Sequence, residues 1–95
     1  MFVVIGLWEL DAKLREMQRQ VLDEIVAGVR QTPGIVNGYW AEGSSVPLRS
    51  HTFIVFTDRI SAEAFAAGVR GNFENQARAG VTNISLDLAE ISATT

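Results

Sequence analysis

Cysteine is absent from this sequence, lysine and histidine occur once each, as Lys13 and His51, and proline only twice. Without cysteine there are no disulfides, no thiolate metal sites and no cysteine nucleophile. That composition suits a reducing compartment, and a cytoplasmic location is expected. His51 has no carboxylate at ligand spacing, so no metal site is expected either. Cations are scarce: 8 Lys and Arg against 11 Asp and Glu give a net charge of −3. They form no basic run and are not interleaved with aromatics. A nucleic-acid surface gathers several phosphate-neutralising cations on one face, so nucleic acid and anionic membrane are not expected partners. Gly68 and Gly71 fall within a helical pattern and lack the lysine of a phosphate-cradling loop. Long apolar runs are missing as well. Met1–Trp8 is ended by Glu9, has no basic leader, is too short to cross a bilayer, and reads as a strand.

What is present is apolar for so short a chain, with 47% hydrophobic and 20% charged residues. One domain over residues 1–95 is expected. A domain of this size buries only roughly 60–65% of its unfolded surface, so the apolar excess hints at self-association. The densest apolar stretch is Arg49–Asp58. Alternate residues of a strand face opposite ways, which puts His51, Phe53, Val55 and Thr57 on one face and Thr52, Ile54, Phe56 and Asp58 on the other. Both faces are apolar in the middle, as in a strand covered on both sides. Residues 2–10 read the same way, with Phe2, Val4, Gly6 and Trp8 opposite Val3, Ile5 and Leu7.

Between these two strands the period turns helical. Asp11 is a plausible N-cap. Leu14, Met17, Val21, Ile25 and Val29 then recur at three- and four-residue steps, until Thr32-Pro33-Gly34 stops the helix. Ile35–Ala41 forms a strand interrupted by Gly38, and residues 42–50 form a loop rich in turn formers. After Asp58 or Ser61 as cap, Phe65, Val69, Phe73 and Ala77 step by four beside the small residues Ala62 and Ala66. A break is expected near Gly71-Asn72, with Gly80 as the residue ending the helix. A last strand, 81–91, alternates Ile84, Leu86 and Leu88 with Asn83, Ser85 and Asp87. Ala27-Gly-Val-Arg30 recurs as Ala67-Gly-Val-Arg70, and Gly34-Ile-Val-Asn37 is echoed by Gly80-Val-Thr-Asn83, as two halves of similar shape would give.

The order β-α-β-β-α-β is the ferredoxin-like α+β motif, with a four-stranded antiparallel sheet and both helices on one face. Right-handed crossovers place strands 1 and 3 side by side in the centre, a pair read as parallel, with 2 and 4 at the edges. Two helices cover one face only. The other needs a second sheet.

Pro33-Gly34-Ile35-Val36 with Gly38 and Trp40, Ile54-Val55-Phe56 running into Asp58 and Ala62-Glu-Ala-Phe65, and Gly80-Val81 opening a strand that ends Ala89-Glu-Ile91 span nearly the whole chain. In this order they resemble the dimeric α+β barrel superfamily, in particular small actinobacterial proteins related to antibiotic-biosynthesis monooxygenases. The resemblance implies a homodimer whose two sheets close a barrel, and an apolar pocket between each sheet and its own helices. It also implies that an enzyme of this kind, working without a cofactor, oxidises an aromatic or polyketide-like compound. Haem-degrading relatives use an asparagine on strand 1 with a tryptophan and a histidine around helix 2. Here strand 1 has no asparagine, and residues 59–80 contain neither histidine nor tryptophan, so haem degradation is not expected. A ligand-binding or regulatory dimer without catalysis, and a purely structural dimer, stay open beside the oxygenase reading.

His51 is the one side chain that titrates near neutrality and is the candidate general base; against this, a strand start after a polar loop suits a solvated histidine. Trp40 is the second catalytic candidate. Trp8, Tyr39, Asn37, Phe65 and Phe73 are candidate ligand contacts, each with packing or a solvated face as the plainer alternative. Tyr39 and Trp40 point to opposite faces, so only one of them looks into any given cavity.

Overall fold

The computed structural model describes residues 1–95. Strand β1 (Phe2–Leu10) leads through a 3-10 turn (Ala12–Leu14) into helix α1 (Arg15–Arg30). Strands β2 (Ile35–Glu42) and β3 (Arg49–Phe56) follow, then helices α2 (Arg59–Arg70) and α3 (Phe73–Arg78), and finally strand β4 (Val81–Glu90). Asp11 does act as a cap, but of the 3-10 turn: its carboxylate accepts from the Lys13 backbone N–H at 2.9 Å. Asp58 caps α2 by accepting from the Ser61 backbone N–H at 2.8 Å. That bond, with the hydroxyls of Thr57 and Ser61, holds the Asp58 carboxyl below the ordinary carboxylate range. The expected break falls at Gly71, which separates α2 from α3.

The sheet order is β2-β3-β1-β4, so the two doubly apolar strands are central. They run antiparallel, with Val4 opposite Ile54 and Leu7 opposite His51, and not parallel as the crossover reading had it. The crossovers join β1 to β2 and β3 to β4, and each such pair is separated by one strand of opposite direction. β4 departs from clean alternation. A register shift opposite Leu7/Trp8 throws Ile84 out of the apolar row, and it is 45% exposed. Gly34 and Gly80 occupy matching places before β2 and β4. Both take a left-handed turn, with φ of 80° and 71°, which the echoed sequence anticipates and which glycine adopts without steric cost.

The packed core lies on the helix side of the sheet. It comprises Val4, Val29, Ile54, Phe56, Ala62 and Ala66, bordered by Phe2, Ile35 and Leu88. Phe56 is fully buried and its ring meets Phe65 at 5.2 Å, tilted by 44°. Burying such a side chain contributes about 1.5–3 kcal/mol. Ala62 and Ala66 let α2 sit close to β1 and β3. The other face of the sheet carries Val3, Ile5, Leu7, Phe53, Val55 and Tyr39, all half-buried or exposed. No helix is long and apolar enough to cross a membrane.

Candidate functional site

A cavity of about 490 Å³ lies between the sheet and the helices, with α1 on one side and α2–α3 on the other. Its size falls in the range of small-molecule pockets. Val4, Trp8, Trp40, Thr52, Ile54 and Leu86 make the floor. Val21, Leu22, Ile25 and Val29 form the α1 wall, and Phe65, Gly68, Val69 and Ala79 form the facing one. The apolar stripe of α1 therefore borders a void more than it fills a core: Leu22 and Ile25 are 37% and 45% exposed.

The tryptophans sit where glycine makes room for them. A Cβ on Gly6 would lie 2.5 Å from both Trp8 Nε1 and Thr52 Oγ1. One on Gly38 would lie 3.1 Å from the Trp40 ring. Gly6-Leu7-Trp8 and Gly38-Tyr39-Trp40 thus share one device: on a strand, residues two apart share a face, and the indole folds back across a backbone that has no side chain to oppose it. Trp8 Nε1 donates to Thr52 Oγ1 at 3.1 Å, which fixes the ring across the β1–β3 pair.

Polar groups gather at one end, where β1 and β2 finish and α1 and β4 begin. Gln18, 8% exposed, stands in the apolar stripe of α1. It donates to the carbonyls of Asp11 at 2.9 Å and Gly80 at 3.3 Å, tying α1 to the start of β4. Arg15 donates to Gln18 Oε1 at 2.8 Å and forms an ion pair with Glu42. Arg19 and Ser50 also line this end. On the α3 side, Gln76 donates to the Val69 carbonyl at 2.9 Å and Asn75 to Asn72 Oδ1 at 2.7 Å. No buried side-chain nitrogen or oxygen lacks a partner. The ionisable residues of the wall are Arg15, Arg19 and Glu42.

Of the residues singled out in the sequence, Trp8, Trp40 and Phe65 lie in this wall. His51, Tyr39 and Asn37 do not. His51 pairs with Leu7 and Ala41, on the sheet face turned away from the helices, so it and Trp40 stand on opposite sides of the sheet. Tyr39 pairs with Phe53, and Asn37 with Val55, on that same open face. Phe73, 65% exposed on α3, lies outside the cavity. Gln18 went unremarked in the sequence, and Arg15 reads there as one of the charges opposite the apolar stripe of α1, whereas it lines the cavity. The available signal was Gln18 itself, a polar residue four after Leu14 and three before Val21, in the middle of the apolar stripe. The repeated Gly-x-Trp was the other.

Solved structures share this architecture over nearly the whole of this chain. A Deinococcus radiodurans protein assigned as an antibiotic biosynthesis monooxygenase superposes with a TM-score of 0.82 at 20% identity, covering 100% of this chain and 96% of that one. The fold is that of the antibiotic-biosynthesis monooxygenase-like proteins. SnoaB, a cofactor-independent oxygenase from Streptomyces nogalater, matches with a TM-score of 0.72 at 17% identity, over 98% of this chain and 94% of its own. MhuD, a haem degrader from Mycobacterium tuberculosis, gives 0.75 at 15% identity, over 100% and 99%. No protein-family model and no curated relative matches the sequence. At these identities the likeness is one of fold.

Proposed function

We propose that the chain is a homodimeric small-molecule protein of the monooxygenase-like type, which oxidises an aromatic or polyketide-like compound in the helix-side cavity without a cofactor. The observation that carries this reading is the cavity itself: about 490 Å³, mainly apolar, and floored by two indoles that occupy the room two glycines leave. Such a floor suits a planar, ring-containing guest. Trp8, Trp40 and Phe65 are its contacts. The fold shared with SnoaB supports oxygenase chemistry by analogy of architecture. The open sheet face, with Val3, Ile5, Leu7, Phe53 and Val55, supports the dimer, because burying it against its own copy removes a contiguous apolar patch from water. His51 belongs to that face and Trp40 to the cavity, so the two act as a catalytic pair only if chemistry reaches across the sheet.

A second reading rests on the same placement. The cavity wall contains no histidine, and this favours a binding or regulatory dimer without turnover. Titrating a panel of apolar aromatics against tryptophan fluorescence, then following oxygen uptake with each binder, separates the two. Oxygen consumption abolished by Trp40→Ala supports the oxygenase. Tight binding without uptake supports the binder, and no binding sinks both. Light scattering on a sizing column tests the dimer, and a monomer that persists at high concentration overturns it.

A further inference from the structure

From the charge at the mouth of the cavity, and resting on its reading as a ligand pocket, we infer that the guest carries a single anionic oxygen group, a carboxylate or an acidic enol, and that Arg15 is the residue that takes it. Three observations converge on this. First, the ionisable side chains of the wall all stand at one end, so a guest that fills the cavity can be ion-paired only there. Second, the ionisable side chains lining that end are Arg15, Arg19 and Glu42, and with Arg19 paired to Glu16 the cation facing the cavity is Arg15, on a chain of net charge −3. A positive spot in a concave, weakly polar site concentrates anions from solution.

Third, Arg15 is partly satisfied and well positioned. Its side chain is 21% exposed. Of the guanidinium's five N–H donors, one goes to Gln18 Oε1 and one to Glu42. Gln18 is itself anchored to the Asp11 and Gly80 carbonyls, so it holds the guanidinium in place from behind. Glu42 is 65% exposed. A carboxylate that wet loses little on returning to water, and a guest's acid group can replace it, as a planar two-oxygen acceptor for the guanidinium fork. Glu42 is thus a stand-in counterion that an anionic guest displaces and a neutral guest does not. Arg19 is 64% exposed and sits 3.6 Å from Glu16, so it is paired on its own helix and Arg15 is left as the cation that meets the guest.

The test uses two probes of equal shape, 9-anthracenecarboxylate and 9-anthracenemethanol, titrated at neutral pH against emission from Trp8 and Trp40. The carboxylate is expected to bind roughly 10- to 100-fold more tightly, the range of a hydrogen bond to a charged group. Arg15→Gln is expected to abolish that preference. Glu42→Gln, which keeps Arg15 and removes its competitor, is expected to tighten the carboxylate alone, and it provides the test should the Arg15 variant fail to fold. Equal binding of both probes, or a preference that survives Arg15→Gln, overturns the inference and leaves the pocket reading intact. Failure of both probes to bind overturns both.

Discussion

The two helices approach the same sheet face and meet it in different ways. α2 presents Ala62 and Ala66, 0% and 2% exposed, and with so little side chain in between it settles onto the backbone of the central strands. α1 presents Val21, Leu22 and Ile25, larger and more apolar, yet these border a cavity. Small residues pull a helix down; branched ones spaced along a stripe hold it off, and the space beneath stays open unless the sheet sends up side chains to fill it. Here the sheet does the opposite. Gly6 and Gly38 lower the floor, and Trp8 and Trp40 lie across it. One face of α2 is built for stability, while its other face and most of α1 enclose contents.

If that contrast is right, truncation in the two regions differs sharply. Phe56→Ala, in the packed core, is expected to cost about 3–5 kcal/mol in urea unfolding, whereas Ile25→Ala, on the cavity wall, costs less than about 1 kcal/mol. Similar losses at both sites would mean that α1 packs as tightly as α2. Enlargement inverts the test: Ala66→Leu forces α2 away from the strands and is expected to destabilise by about 1–3 kcal/mol, read as a lower thermal midpoint. Gly6→Ala sharpens the account of the floor. The added methyl collides with Trp8 and Thr52, so the indole loses its partner, with a comparable loss of about 1–3 kcal/mol and a red-shifted tryptophan emission.

Two helical glycines divide stability from contents more finely. Apart from the backbone of its own helix, neither Gly28 nor Gly68 has a neighbour within 4 Å of an added Cβ. Alanine at either is therefore expected to stabilise by about 0.5–1 kcal/mol. Only Gly68 lines the cavity, so Gly68→Ala also weakens binding of bulky aromatics and Gly28→Ala does not. The smallest effect concerns the α2 cap. Asp58 has its carboxyl lowered by the Ser61 N–H and the Thr57 and Ser61 hydroxyls, so the folded state binds its proton less readily than the unfolded chain. The cap's contribution is present above the ordinary carboxylate range and is lost as pH falls through it toward the lowered value. Asp58→Asn should flatten that part of the acid unfolding curve, and an unchanged curve would remove Asp58 from the account.

Much of the architecture was legible because it rests on local periodicity. β1 and β3 announce themselves by apolar residues on both faces, α1 by its stripe, and the α2–α3 break by Gly71-Asn72. The direction of β3 relative to β1 was misread because residue pattern does not encode it; the chain path does, through the hairpin that turns β3 back against both β1 and β2. The Ile84 register shift was invisible for a similar reason, since alternation describes one strand and a bulge belongs to two. At the site, sequence singled out aromatics by type. Their sorting into Trp8 and Trp40 on the cavity side and Tyr39 on the other follows from strand parity. His51, conspicuous as the lone histidine, is carried by that same parity to the face without a cavity. Arg15 reads as part of the charged face of α1 because a helix-terminal arginine has the same sequence appearance whether it faces solvent or a pocket.

The position of β1 in the sheet has a consequence for synthesis. Both partners of β1 lie far along the chain: β3 begins at Arg49 and β4 at Val81. A ribosome adding about 5–20 residues each second therefore exposes Phe2–Leu7, six residues without a charge, for several seconds before either edge can be covered. Such a segment is prone to pair with other nascent chains. The central strand is made before either of its partners, so its two edges stay open until β3 and then β4 arrive.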